Sequence, residues 1–441
     1  MKKTISEQVD TLYHTYAKHF TQEQVAQIIL QSLLLKIVSG KHSSLDEIKE
    51  SMSNLSLEYQ KLVNSSLFDK PQALAIYQET MGFDLSGDRD DLGEIFEYLI
   101  SRADAQRLGQ FYTPPTLASL MIRICMQDRN DEALSIYDPA MGTAGLLVIA
   151  QKTLKKKAQF YGQEFNSTSW KIALINALIQ GMNFNFGENP CSTFINDIHA
   201  SKKMDIILAN PPYNQKAWGD GIDILKDPRF KDLPKPPLNN GNFAWILHCL
   251  HHLKDDGIAT IVLANGSLTT SQKDELAVRE YLVEQGFVEA IIALPTKLFK
   301  TTSISACIWV LNKSKRKKGH ILFVDIGELA TKISRNQNEI GEQVIEQVLD
   351  TLGRWRNGES LDNASNIFVD KREQDTKDLK YNLSPGQYQP FETHKDEMTE
   401  ESFIEKMTRL IYQFDELSTE SEALTKRVRE NLSRLKWDNE K

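Results

Sequence analysis

A change of texture near Gln110 constrains the fold of this chain more than any other feature. Beyond it, short apolar runs bounded by turns alternate with helical stretches. LSIYD, QFYGQE, MDIILA, IATIVLA, VEAIIAL and SACIWVL read as strands. TLASLMIRICM, AGLLVIAQKTL, SWKIALINALIQGM and AWILHCLHHLK, lying between them, read as helices. Such alternation predicts an α/β fold, a parallel sheet covered by helices on both faces. Ligands in such sheets bind outside the carboxyl ends of the strands, so chemistry-bearing motifs are expected there.

The flanks read differently. Up to about residue 100 the chain is helical: Ile5, Val9, Leu12, Tyr16 and Phe20 recur at helical spacing, and Thr21 with Gln24 forms a capping box opening QEQVAQIILQSLLLKIV. From Ile321 to about Pro390 the signal weakens. FVDIG reads as a strand, EQVIEQVLDTLGRW as a helix and the rest as loop. From about Glu400, Phe403, Met407, Leu410, Phe414, Leu417, Leu424, Val428 and Leu435, with Ser421 and Asn431 filling two seam positions, fall three and four apart, a heptad seam on one long helix. That seam can fold back on the N-terminal helices or pair with a helix of another subunit. The expected division is an α-helical domain over 1–100, an α/β domain over 101–325, a mixed connecting region over 326–395 and a docking helix over 396–441.

A chain of 441 residues suits two or three domains. No window approaches the roughly 18 apolar residues of a membrane span, and the lysines of MKKTISEQVD lead into no apolar signal core. The four cysteines, Cys125, Cys191, Cys249 and Cys307, show no CxxC spacing. This argues against a zinc site or a disulfide framework and fits a reducing cytoplasm. The formal net charge of -8 runs against a lone DNA binder, so a chain of this kind working on DNA would draw phosphate affinity from a partner.

Four stretches carry candidate chemistry. Asp138-Pro139-Ala140-Met141-Gly142-Thr143-Ala144-Gly145 closes a strand and opens a helix. Glycine permits close backbone approach, the helix N-terminus offers N–H groups to a carboxylate, and Asp138 can accept from a cationic amine. A methionine-like zwitterion needs both, although a plain βα turn reads the same way. Gly162-Gln163-Glu164 ends the next strand. An acidic residue roughly 20 residues after the glycine turn can hold two ribose hydroxyls, or simply cap a helix. Asn196-Asp197-Ile198, after a short strand, places Asp197 where it could accept from an adenine amino group. The strongest is Asn210-Pro211-Pro212-Tyr213 after MDIILA. Two prolines fix the backbone, so the Pro211 carbonyl and the Asn210 side-chain oxygen can face one –NH2 group. Accepting both its hydrogens favours the tetrahedral nitrogen that attacks a sulfonium methyl. Tyr213 offers a stacking face for an extruded base.

With GQFYTPPTLA from Gly109, YDPAMGTAG, GQE and NPPY in this order, the chain resembles the amino-methyltransferases, and more closely the modification (methyltransferase) subunit of type I restriction–modification systems. FDLSGDRDDLGEIFEYLISR and HCLHHLKDDGIATIVLANGSL are also similar to those subunits, and the likeness spans most of the chain. It implies a Rossmann-like methyltransferase fold with a mostly parallel seven-stranded sheet, S-adenosylmethionine as cofactor and no metal. The implied reaction is methylation of N6 of an adenine flipped out of double-stranded DNA, with cytosine N4 open on the same amine chemistry. The resemblance places Gln110, Tyr112, Thr113, Asp138, Gly142, Thr143 and Gly145 with the cofactor, Thr113 at its methionine end, Glu164 at the ribose and Asp197 at the adenine. Asn210, Pro211, Pro212 and Tyr213 take the target amine. A specificity subunit, bound by two copies of this chain through the terminal helix, would choose the DNA site, with an ATP-dependent restriction subunit as a further candidate partner, in a bacterial or archaeal cytoplasm. NPPY also occurs in enzymes that methylate protein glutamine, and an inactive assembly subunit is the other alternative.

Met141 stands where the family has Cys, and Ala144 where it has Gly. Alanine lacks the freedom of glycine at positive φ, so cofactor binding would weaken if that turn requires it. Residues 214–240 form a long Pro/Gly-rich stretch, expected to close over the base or DNA, or else to be a disordered insertion. The basic run Lys313, Lys315, Arg316, Lys317 and Lys318, like Lys152 with Lys155, Lys156 and Lys157, reads as a solvated turn or as a phosphate contact. His248, His251 and His252 share a helix without the carboxylate of an HExxH motif and read as core and surface histidines.

Overall fold

The computed structural model describes residues 5–55, 57–60, 62–83, 113–127, 129, 133–154, 157–299, 304–334, 337–361, 367–389 and 400–434. The chain forms two compact units, Met1–Gln389 and Pro390–Lys441.

The first unit is built on β1 (Ala133–Asp138), β2 (Lys157–Gly162), β3 (Phe184–Asn185), β4 (Met204–Ala209), β5 (Leu253–Ala264), β6 (Val288–Ala293), β7 (Ala306–Asn312) and β8 (His320–Asp325). A hairpin of β9 (Thr331–Ser334) and β10 (Gln337–Glu339) follows, and β11 (Phe368–Arg372) rejoins the sheet. The sheet order is β11-β8-β6-β7-β5-β4-β1-β2-β3. β1 pairs in parallel with both β2 and β4, and β4 with β5, whereas β7 runs antiparallel between β5 and β6. The chain thus steps outward from β1 to β3 and returns to β4 on the other side of β1. This reversal opens a crevice at the carboxyl ends of β1 and β4.

All six expected strands form. Every residue of β4 is buried, as expected for a strand covered on both faces, which reads as an unbroken apolar run. Two expectations need correction. Among the described residues the sheet has nine strands rather than seven, because β8 and the antiparallel β11 extend the edge beyond β6. In β11, FVDKR, only Phe368 is fully buried, so this edge strand lacks an apolar run and reads as loop. The short strand expected before Asn196 is absent as well; residues 191–203 are turns, and β3 lies earlier.

The N-terminal helices form as read. Helix Gln22–Val38 starts on the Thr21/Gln24 capping box, with both reciprocal hydrogen bonds present. Val25, Ile28, Ile29, Leu33, Leu34 and Leu35 are all buried. A helix apolar nearly all round must be covered on several sides, and helices Pro71–Thr80 and Ser167–Ile179 pack against it.

The basic turn between β7 and β8 is structural. Lys315 is buried, donating to the carbonyls of Val288 (2.9 Å) and His320 (3.0 Å) and to Glu373, while Lys317 pairs with Asp370 of β11 at 2.7 Å. The solvated-turn reading is corrected for Lys315 and Lys317, which tie the last strand and the residue after it to the sheet, whereas Arg316 and Lys318 are exposed.

Among its described residues the second unit is one helix, Glu400–Arg434. Met407, Leu410, Phe414, Leu417, Leu424 and Val428 of the expected seam are exposed along it, as are Ile404 and Ile411. No helix among the described residues is long and apolar enough to cross a membrane.

Candidate active site

The ends of β1, β2 and β4 bring three of the four motifs together. After β1 the chain turns through Gly142 (φ 54°) and Ala144 (φ 66°), then enters helix Gly145–Thr153. The turn does use the left-handed region at Ala144, where an L residue costs roughly 1–2 kcal/mol. Ala144 is fully buried, and its small side chain fits there.

Glu164 ties the turn to β2. Its Oε2 accepts from Gly142 N–H at 3.0 Å and its Oε1 from Asn166 N–H at 2.6 Å. Gly142 N–H is thus committed to Glu164 in this state. Asp138 is buried at the tip of β1 and accepts from Ala140 N–H at 3.0 Å. Burial pushes its carboxyl up to about 8; the Ala140 hydrogen bond opposes this and the Glu164 charge adds to it. Burial also raises Glu164, against the hydrogen bonds it accepts. Two buried carboxyl groups beside one glycine turn suit a ligand carrying a cationic amine and hydroxyls. Thr143 and Gly145 complete the turn, and the Thr143 carbonyl accepts from Asn176 at 3.2 Å.

The Asp197 turn lies against the same tips. Gln163 Nε2 donates to the Asn196 carbonyl (2.6 Å), Thr193 Oγ1 to the Pro139 carbonyl (2.6 Å), and Cys191 N–H to the Glu164 carbonyl (2.9 Å). Phe165 and Ile195, 74% and 61% exposed, stand beside Glu164 and Asn196. Two large apolar side chains left open beside polar motif residues were missed in the sequence; GQEF carried the first in plain view.

At the end of β4, Asn210 Nδ2 donates to Thr113 Oγ1 at 2.9 Å, and Asn210 Oδ1 accepts from the Tyr213 hydroxyl at 2.8 Å. Thr113, expected at the methionine end of the cofactor, therefore touches the NPPY turn directly. Pro211 is buried and Pro212 half-buried. The Tyr213 ring lies edge-on to Phe299, with centroids 6.3 Å apart, and burial holds its hydroxyl well above the ordinary tyrosine range. Phe299, 89 residues from Asn210 in sequence, gave no signal of its own. Gln110 and Tyr112 lie outside the described residues.

Residues 214–240 are no disordered insertion. Trp218, Arg229 and Phe230 are buried, Trp218 Nε1 donates to the Pro237 carbonyl at 2.8 Å, and Asn214 and Asn242 clasp the base of the segment at 2.8 and 2.9 Å. Behind the site, His248 and His252 are buried and His251 half-buried. Asp197, His248 and His252 each bring one ligand-type atom within 4.8 Å of the others. However, the Arg229 guanidinium stands 3.3 Å from His248 Nδ1, the Tyr137 hydroxyl 3.1 Å from its Nε2, and both nitrogens of His252 have protein partners. A cation beside the ring and occupied nitrogens make this a hydrogen-bonded network.

Comparison with known proteins identifies the family and the fold. The profile of the family N-6 DNA Methylase matches residues 87–397. The chain is 32% identical over 361 residues to the type I restriction enzyme HindI methylase subunit of Haemophilus influenzae, covering 80% of each chain. The crystal structure of the type I restriction-modification system methyltransferase subunit from Streptococcus thermophilus superposes with TM-score 0.69 at 26% identity, covering 82% of this chain and 80% of that one. The fold alone is shared with a Listeria monocytogenes protein described as a class I S-adenosylmethionine-dependent methyltransferase, at TM-score 0.52 and 16% identity, covering 76% of this chain and 98% of that one. The tips of β1, β2 and β4 gather an acidic glycine turn and an Asn-Pro-Pro-Tyr turn on one sheet, and the chain belongs to the N-6 DNA methylase family as a type I methylase subunit.

Proposed function

We propose that this chain methylates N6 of an adenine flipped out of duplex DNA, using S-adenosylmethionine, at sites chosen by a separate specificity subunit. The observation that carries the reading is the Asn210 amide. Its nitrogen faces Thr113 and its oxygen the Tyr213 hydroxyl, at the strand end adjoining Asp138 and Glu164.

The donor set fits the cofactor. Buried Asp138 suits its ammonium group, the helix N-terminus at Thr143 and Gly145 its carboxylate, and Glu164, which also holds the Gly142 turn, its ribose. Asp197 would suit the adenine amine, and the exposed Phe165 and Ile195 would offer apolar surface to its ring. When bound, S-adenosylmethionine supplies an electrophilic sulfonium methyl. Asn210 Oδ1 and the Pro211 carbonyl accept the two hydrogens of the target amine. This withdraws the nitrogen lone pair from the ring and aims it, and Pro212 keeps the turn from relaxing. Tyr213 stacks on the extruded base, with Phe299 supporting its ring from the side.

A net charge of -8 leaves phosphate neutralisation to a partner. The exposed apolar stripe of Glu400–Arg434 suits helix pairing with a specificity subunit, two copies of this chain to one such subunit. An ATP-dependent restriction subunit is the further candidate in that assembly.

The test is methyl transfer to DNA by the chain co-expressed with its neighbouring reading frames, followed by digestion to nucleosides and mass spectrometry. N6-methyladenine is expected. N4-methylcytosine, or label only on protein glutamine, would contradict the reading.

A further inference from the structure

The turn carrying Asp197 has no regular structure, and two buried side chains from distant parts of the chain hold it. Arg229, 4% exposed, donates to the carbonyls of Thr193 (2.7 Å) and Phe194 (2.5 Å), and Asp227 neutralises it at 2.6 Å. His252, fully buried at the end of helix Asn242–His252, places Nε2 2.9 Å from Asp197 Oδ2 and Nδ1 3.1 Å from the Lys202 carbonyl. A carbonyl oxygen only accepts, so the contact with Lys202 takes its hydrogen from Nδ1. Asp197 Oδ1 accepts from His199 N–H at 3.1 Å. Burial would raise the Asp197 carboxyl, but His252 and then Arg229 outweigh it and hold the group below the usual carboxylate range. An ionised carboxylate has about four acceptor positions. Two face protein donors, which leaves acceptor capacity for a ligand N–H.

We propose that His252 and Arg229 are positioning residues for the adenine end of the cofactor: they fix the Asp197 carboxylate, and the backbone leading to it, before the ligand arrives. This rests on the reading that Asp197 accepts from the adenine amine. It also gives the segment 214–240 a role other than closing over the base. Starting one residue after Tyr213, that segment carries Arg229 back to the cofactor turn and joins the two halves of the site. A carboxylate aimed in advance spares the ligand the ordering cost of aiming it.

The test is calorimetric binding of S-adenosylhomocysteine, and of its analogue with purine in place of adenine, to the full chain and to Asp197→Asn, His252→Phe, His252→Gln and Arg229→Lys. Removing a hydrogen bond to a charged group is expected to weaken S-adenosylhomocysteine about tenfold in His252→Phe. His252→Gln, which keeps an N–H donor, should lose less. Arg229→Lys keeps the charge but not the fork and should weaken binding several-fold. Loss of the ligand's amine should cost the wild type a similar factor and cost Asp197→Asn and His252→Phe little, a coupling that a purely structural role would not produce. If Asp197→Asn weakens binding while the His252 and Arg229 variants stay within about twofold of wild type, positioning is refuted and the Asp197 reading survives. If Asp197→Asn binds both ligands as the wild type does, the reading beneath the proposal fails and takes it down. Melting of each unliganded variant shows whether it folds; should His252→Phe not fold, His252→Gln and Arg229→Lys decide.

Discussion

The Tyr213 hydroxyl donates to Asn210 Oδ1 over 2.8 Å, so the oxygen assigned to the target amine already holds a hydrogen-bond partner before any base arrives. An incoming amine must share that oxygen or displace the hydroxyl, while the amide nitrogen donates to Thr113 at 2.9 Å.

Thr113 is therefore expected to act through Asn210. Thr113→Val keeps the volume and removes the acceptor. We expect a single-turnover methylation rate down about tenfold, the equivalent of one hydrogen bond, with cofactor affinity little changed. An unchanged rate with weaker cofactor binding would instead place Thr113 at the methionine end.

Asp138 gives a pH signature. With burial pushing its carboxyl up to about 8, the group is mostly protonated near neutral pH, and a bound ammonium group favours the ionised form. Binding of S-adenosylhomocysteine should then release a proton, and affinity should rise from about pH 6 to about pH 8 before levelling off. Calorimetry in buffers of different ionisation heat measures that proton directly. The stability sign runs the other way. The folded value exceeds the unfolded one, so the contribution to unliganded stability is present at acid pH and lost as pH rises toward about 8.

The sheet was legible because β4, β7 and the IATIVLA stretch of β5 are buried on both faces and are largely apolar. The NPPY and glycine turns were legible because proline and glycine mark backbone that must hold a special shape. β11 was not, since FVDKR is half-exposed at the edge, nor was the nature of the Asp197 turn, which depends on residues far along the chain. Arg229 sits in a Pro/Gly-rich stretch and Lys315 in a basic run, where charged side chains are ordinarily solvated. Their burial depends on carbonyls that only the folded chain assembles.

Gly162 tests how tightly β2 packs on the glycine turn. A Cβ there would lie 2.3 Å from Met141 Sδ and 2.9 Å from Phe186 Cδ1. Gly162→Ala is expected to cost about 1–3 kcal/mol in thermal or denaturant unfolding. Adding Met141→Ala should recover part of it by clearing the thioether. No recovery would show that Phe186 alone sets the limit.

Arg356 and Glu289 form a buried ion pair at 2.6 Å, joining helix Glu342–Arg356 to β6. Removing one partner strands a charge, so Arg356→Met should destabilise by roughly 3–5 kcal/mol, and Arg356→Met with Glu289→Leu by much less. Equal losses in the single and double variants would contradict this account of the pair.

The most direct test of the whole account is Asn210→Ala in the assembled complex, measured as S-adenosylhomocysteine affinity and single-turnover methylation of target DNA in the same preparation. The expected result is cofactor affinity close to wild type with methylation slowed about a hundredfold or more. Methylation at the wild-type rate would contradict the central claim that the Asn210 oxygen receives the amine.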